Sequence, residues 1–231
     1  MRTFCVAVIV LSLLSVGQPA PLTCETLMKP RDTEGPDLTG RWFLLALSAE
    51  HCITTTLLDV LLRPIFVFDI TSMDASNVYN SSIKITIDGH CFEESKMFFY
   101  KDNQMFEVDS NNTALGNASL FLYSGCPDCI VVKRTDMIKA LILISRRKVV
   151  TAAELAEFET QARCLGWSKP QVLRAEHASE NCRSYHDIPR QEDEAIMQRI
   201  HRKVSEKATS MREKIMKCFI EFWVFVYNTV S

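Results

Sequence analysis

Cysteines, one pair of strand carboxylates and three Asn-x-Ser/Thr triplets are the residues of this chain whose types and spacing could do chemistry. Cys126-Pro127-Asp128-Cys129 has the spacing of half a zinc site or of a redox disulfide. Zinc needs about four ligands, and no second pair stands at a suitable distance along the chain. Redox pairs sit at a helix N-terminus, whereas this one falls in a predicted hairpin. A local disulfide across the turn is the reading that remains. His51 and Cys52 place a base beside a thiol in sequence, but chain neighbours do not make a dyad, because a nucleophile needs its base within hydrogen-bond reach. No catalytic residue, metal or cofactor is expected. Glu107 and Asp109 stand two apart on one predicted strand. A partly desolvated carboxylate there would suit a cationic ligand such as an amine or a guanidinium; otherwise the two are solvated surface groups. Asn80, Asn111 and Asn117 are each followed two positions later by Ser or Thr, the pattern of N-glycosylation.

The compartment follows from the N-terminus. Arg2 precedes an apolar run over residues 4–14, and Ser15 and Gly17 are small residues at the right places for cleavage before Gln18. This is the design of a secretory signal over residues 1–17, too short to span a bilayer; a cut after Ala20 is the alternative. Of nine cysteines, removal of Cys5 leaves eight. An even number in a secreted chain reads as a disulfide framework. A net charge of −2 over 231 residues excludes electrostatic capture of nucleic acid. The length suits one domain with an appendage.

Short β runs punctuated by turns occupy residues 42–48, 65–71, 82–87, 97–100, 104–109, 119–124, 130–134 and 140–145. Ile83, Ile85 and Ile87 alternate with Lys84 and Thr86, the two-residue period of a half-buried strand, and Asp88-Gly89 is a good turn dipeptide. Evenly spaced hairpins of this kind build a meander sandwich or a closed barrel. A helix follows: Thr151 and Glu154 form a capping box, Leu155, Phe158, Ala162 and Leu165 recur at helical spacing, and Gly166 stops it. Residues 18–39 read as an extended arm.

The segment 185–231 differs. Pro189 can open a helix, and Ile196, Ile200, Val204, Ala208, Met211, Ile215, Phe219, Phe222 and Val226 form an apolar stripe at steps of three and four. Such an amphipathic helix fits a lipid surface or a partner helix; a variant, loosely held terminus is the third reading.

Gly40-Arg41-Trp42, placed after an arm at the start of the first strand, resembles the signature of the lipocalin family. Asp128 stands where that family's second motif carries an Asp, and Arg146, just past the eighth strand, where its third motif carries an Arg. The resemblance covers residues 22–182. It is closest to the alpha-1-acid glycoprotein (orosomucoid) branch and the pufferfish saxitoxin- and tetrodotoxin-binding proteins, with apolipoprotein M nearby. Residues 21–24, 38–43, 154–158 and 164–165 carry it, with Cys182 at the branch's distance.

The resemblance implies a mainly β fold, an eight-stranded antiparallel up-and-down barrel with one flanking helix. Residues 18–184 then form the barrel domain and residues 185–231 a helical extension. Arg146 would lie over Trp42, with Gly40 and Asp128 completing the barrel-closing motif. The implied disulfides are Cys24–Cys164 and Cys91–Cys182. Cys126 has no counterpart of the apolipoprotein M partner, since Glu154 stands at that position; Cys52 either pairs with Cys218 or stays free. The pocket wall would include Ile83, Ile142 and Ile144 by resemblance, Ile85 by alternation, and Phe68, Phe99, Tyr123 and Val132 as companions, with Glu107 near the mouth. The implied function is that of a secreted, glycosylated, acute-phase-type plasma carrier. Its partner is a small lipophilic or amphipathic ligand: a basic lipophile, a retinoid or fatty acid, a lysosphingolipid or a guanidinium toxin. A lipid or lipoprotein carrier working through the C-terminal helix is the alternative. One lipocalin, prostaglandin D synthase, is an enzyme with a barrel-wall cysteine, but the run 65–71 here contains none.

Overall fold

The computed structural model describes residues 23–31, 36–51, 55, 64–87, 89–136, 138–175, 182–184 and scattered positions between 198 and 220. Eight strands follow one another as an antiparallel meander: β1 (Gly40–Ala49), β2 (Ile65–Ser72), β3 (Val78–Ile87), β4 (His90–Lys101), β5 (Gln104–Val108), β6 (Ala114–Leu122), β7 (Cys129–Arg134) and β8 (Ala140–Ser145). Each pairs with the next, and β1 pairs with β8, so the sheet closes into a barrel. A short helix, α1 (Cys24–Leu27), precedes β1, and α2 (Ala152–Cys164) follows β8. Two minor strands finish the sheet. β9 (Gln171–Val172) adds antiparallel to β1, and β10 (Arg183–Ser184) adds parallel to β4.

Closure explains the two-sided burial of the strands. Register places Trp42, Phe68 and Ile83 on the same inner face, and Ile130, Ile144 and Leu44 on the facing wall. A bulge between Leu44 and Ala46 resets the alternation in β1, so Leu44 and Leu47 both face inward. On the outer face, Ala46, Leu122, Val131, Leu141 and Leu143 pack beneath Phe158 and Ala162 of α2. The helix exists because its cap is complete: Thr151 Oγ1 accepts from the Glu154 N–H, and the Glu154 carboxylate accepts from the Thr151 N–H.

Three disulfides tie the ends to this frame. Cys24–Cys164 joins α1 to the end of α2, Cys91–Cys182 joins β4 to the chain leading into β10, and Cys126–Cys129 spans the β6–β7 hairpin. The first closes 140 residues, a length at which the chain-entropy model gives a constraint of about 5 kcal/mol on the unfolded chain. Cys218 is also disulfide-bonded. Gln161 adds a polar tie, donating from Nε2 to the carbonyls of Leu27 and Tyr123.

The structure differs from expectation in four places. The N-terminal arm contains α1, capped by Thr23. β4 begins at His90 rather than at residue 97, because a full ten-residue register with β3 holds its polar segment in the sheet despite poor intrinsic strand propensity. β6 starts at Ala114 and ends at Leu122, and β9 and β10 were not expected. Several expectations lie outside the described residues: the signal segment, Asp88, Cys52, Pro189 and the tail stripe except Ile215. The described positions between 198 and 220 are helical. No helix among the described residues is long and apolar enough to cross a membrane.

Candidate ligand-binding site

In a meander the turns alternate between the two ends of the barrel, and the ends of this one are built differently. The β2–β3, β4–β5 and β6–β7 turns share an end with Trp42. There Arg146 lies over the Trp42 ring, 4.5 Å from Cζ to the ring centre. The Trp42 indole N–H donates to the Leu38 carbonyl, and Arg146 Nη2 donates to the carbonyl of Asp37. Gly40 has φ +97°, a conformation that favours glycine, and a Cβ there would come 2.8 Å from the tip of Arg146, at Nη1. Asp128 serves through its backbone, accepting from the Arg146 N–H and the Ser145 hydroxyl, while its carboxylate faces Arg147 at 3.6 Å. The Thr39 hydroxyl and N–H hold the Asp37 carboxyl below its ordinary range, with help from Arg146. Burial pushes the Tyr100 phenol up, so it stays protonated and donates to Asn103 Oδ1. Trp42, Leu38, Ile70, Phe98, Tyr100, Phe121 and Ile130 fill this end, so it is a plug.

Among the described residues, the other end is less sealed. Phe68, Ile83, Ile85, Ile142 and Ile144 face inward by register, yet each remains partly exposed. Inward-facing and partly exposed together are the pattern of a barrel wall that is not fully packed. Phe66 and Phe92 share the inner face with Ile85, and Val132, paired with Ile142, is buried in the plug cluster. One side of this wall is ionic. Glu107 on β5 faces Arg134 Nη2 of β7 at 3.4 Å and Lys96 Nζ of β4 at 3.9 Å. Lys96 also faces Glu94 at 3.6 Å, and Arg134 faces Asp136 at 3.5 Å. These groups are more than a third exposed or nearly so, so each pair is worth at most about 1 kcal/mol. Their use is to present charge beside an apolar wall.

Of the residues expected to contact ligand, Phe68, Ile83, Ile85, Ile142, Ile144 and Glu107 face the interior by register, with Phe68, Ile142 and Ile144 packed against the plug cluster. Three stand elsewhere, Val132 among them in the buried plug cluster. Phe99 pairs with Val78 and Phe106 on the outer face, because the inward aromatic of β4 is its neighbour Phe98. Tyr123 lies beyond the end of β6, where its N–H donates to the Lys29 carbonyl. Asp109 organises the β5–β6 turn, accepting the N–H groups of Asn111 and Thr113. Sequence reasoning missed Lys96, Glu94 and Arg134. Arg134 was within reach, since alternation from Val132 makes it inward. Lys96 was hidden by placing the start of the fourth strand at residue 97. Among the described residues no cluster of metal-ligating side chains occurs.

A closed eight-stranded meander, a capped helix on its outer wall and an arginine over the floor tryptophan define a lipocalin-type binding barrel. The family model described as the ApoM domain matches residues 9–186, and the chain belongs to that family. No curated protein matches it in sequence. Among solved structures it is similar to the siderocalin Ex-FABP, described as functioning through dual ligand specificities. That match has 16% identity and a TM-score of 0.49, over 64% of this chain and 99% of that one. It is also similar to odorant binding protein OBP1, at 15% identity and a TM-score of 0.48, over 66% of this chain and 98% of that one.

Proposed function

We propose that this protein is a secreted carrier, not a catalyst, holding one small lipophilic or amphipathic molecule in the open half of its barrel. The observation that carries this reading is the set of inward aliphatic and aromatic side chains that stay solvent-reached: Phe68, Ile83, Ile85, Ile142 and Ile144. An apolar body would lie against them, with its polar end beside Lys96, Glu107 and Arg134. Because Glu107 is flanked by two cations, the wall suits a head group of mixed donor and acceptor character better than a bare amine. The signal-like N-terminus and the disulfides support export to an oxidising setting, and exposed Asn111 and Asn117 support glycosylation. The orosomucoid resemblance supports transport in plasma.

The test is native mass spectrometry with solvent extraction on the secreted, deglycosylated protein. A single co-purifying small molecule is the expected result and names the ligand class. A barrel that is empty and takes up no amphipathic amine, retinoid, lysolipid or guanidinium compound would overturn the reading.

A second reading concerns the tail. Met216 and Ile220 are 54% and 59% exposed, four residues apart on helical backbone. An apolar pair on an exposed helical face supports contact with a lipid surface. Flotation with phosphatidylcholine vesicles should be lost in the Met216→Glu, Ile220→Glu double variant; unchanged flotation, or none for the native chain, would remove this reading.

A further inference from the structure

Among the described residues the barrel wall has an unpaired stretch that neither plug nor mouth explains. β5 ends at Val108, paired with Met97, so no described strand pairs with residues 93–96 of β4 on that side. The β6 bulge opposite Met105 and Glu107 shifts the register, and pairing resumes at Leu115 and Ala114. A cleft of about 430 Å³ results, lined by Asn80, Ser95, Lys96, Met97, Glu107, Val108 and Leu115. Register puts Asn80, Ser95 and Met97 on the outer face and Lys96 and Glu107 on the inner one. Residues of both faces therefore meet at the cleft. Charged residues at 93, 94 and 96 discourage a second sheet edge from adding there.

The first residue of a glycosylation triplet stands at its rim. Asn80 begins the triplet Asn80-Ser81-Ser82, and its Oδ1 accepts from Ser95 Oγ at 2.6 Å. That bond fixes the amide plane and leaves Nδ2, the nitrogen that bears sugar, directed away from Ser95. The lining suits an acetamido sugar. Ser95, Lys96 and Glu107 can bond its hydroxyls and amide, and Met97, Val108 and the 51% exposed Leu115 can meet its methyl and C–H face. We propose that Asn80 carries an N-linked glycan whose first sugars lie in this cleft and complete the barrel wall. The bond forms between Nδ2 and the anomeric carbon of a diphosphate-linked oligosaccharide, with loss of one amide proton and departure of the diphosphate. Because Asn80 is paired on both sides within β3, transfer precedes pairing of that strand. A further consequence, that the glycan slows escape of cargo through the side, rests on the carrier reading; the covering of the cleft does not.

The experiment uses the secreted full chain and Ser82→Ala, which removes the acceptor triplet but keeps Asn80 and Ser95. Glycopeptide mass spectrometry should find Asn80 occupied. Acetylation of Lys96 by N-hydroxysuccinimidyl acetate, relative to Lys139 at the mouth, should rise several-fold in Ser82→Ala and stay unchanged in Asn117→Gln. If Ser82→Ala is not secreted, removing glycans enzymatically from the folded native protein gives the same comparison. An unmodified Asn80, or equal Lys96 labelling with and without the glycan, overturns the proposal. Bound N-phenyl-1-naphthylamine should also leave Ser82→Ala faster. A native barrel that takes up none of this reporter counts against the carrier reading and leaves the Lys96 ratio to decide the cleft.

Discussion

The two ends of the barrel use the same alternation of inward and outward side chains for opposite purposes. At the closed end, every polar group near the axis has a fixed partner: Trp42 with Leu38, Arg146 with Asp37, Tyr100 with Asn103. The aromatic side chains there touch one another, with Tyr100 and Phe121 ring centres 4.8 Å apart. At the open end, inward residues lack such closure. Ile85 and Ile142 reach solvent, and the ionic groups pair at 3.4 to 3.9 Å across partly exposed space. Inward orientation alone therefore does not separate core from site. What separates them is whether the inward side chain has been sealed from water.

The comparison predicts that stability and binding should separate along the barrel axis. The largest effect is expected from Trp42→Ala. Removing a 2% exposed indole from under a guanidinium should cost about 3–5 kcal/mol in urea unfolding. A loss of ligand affinity with little loss of stability would show that the plug is part of the site. Ile142→Ala, at the open end, should do the reverse. Its side chain is only half-buried, so stability should fall by no more than about 2 kcal/mol. Affinity for a bound reporter such as N-phenyl-1-naphthylamine should drop about tenfold, the equivalent of ~1.4 kcal/mol. Titration of that reporter into both variants checks the pair together; equal losses of affinity would erase the distinction.

Strand number, order and the flanking helix were legible because they depend on local signals: alternation, turn dipeptides and a capping box. The inward facing of Ile85 followed from alternation for the same reason, while Ile83 and Ile142 came from the family resemblance. The ionic wall was less legible. Lys96 belongs to a polar run that becomes strand only because β3 offers it a complete register, which is a tertiary cause. Phe99 was misplaced because Phe98 and Phe99 are equally apolar, and only pairing decides which faces inward. Tyr123 extrapolates β6 by one residue too many; the strand stops where Tyr123 pairs with the incoming arm at Lys29. The gap beside Asn80 has no local signature, since it comes from the early end of β5 and the bulge of β6 acting together.

The smallest predicted effect tests whether acid loosens the closed end first. Glu154 caps α2 and faces Arg147 Nη2 at 2.7 Å; the same guanidinium lies beside Cys126 Sγ. Burial works to raise the Glu154 carboxyl, but the Thr151 N–H and the Arg147 guanidinium outweigh it and hold the group below its ordinary value. A carboxyl depressed in the folded state binds fewer protons there than in the unfolded chain. Its contribution is thus fully present above the unfolded value and is lost as pH falls through the folded one. Stability of the native protein should decline on acidification through the range just below the ordinary glutamate value. Glu154→Gln should be less stable at neutral pH by about 1 kcal/mol, the scale of a capping interaction. It should also lose part of the acid dependence, so the two unfolding curves converge as pH falls. Urea midpoints measured from neutral to acidic pH check this. Parallel curves would place the acid sensitivity elsewhere, and an unchanged slope with altered reporter affinity would place Glu154 in the service of the mouth rather than of the plug.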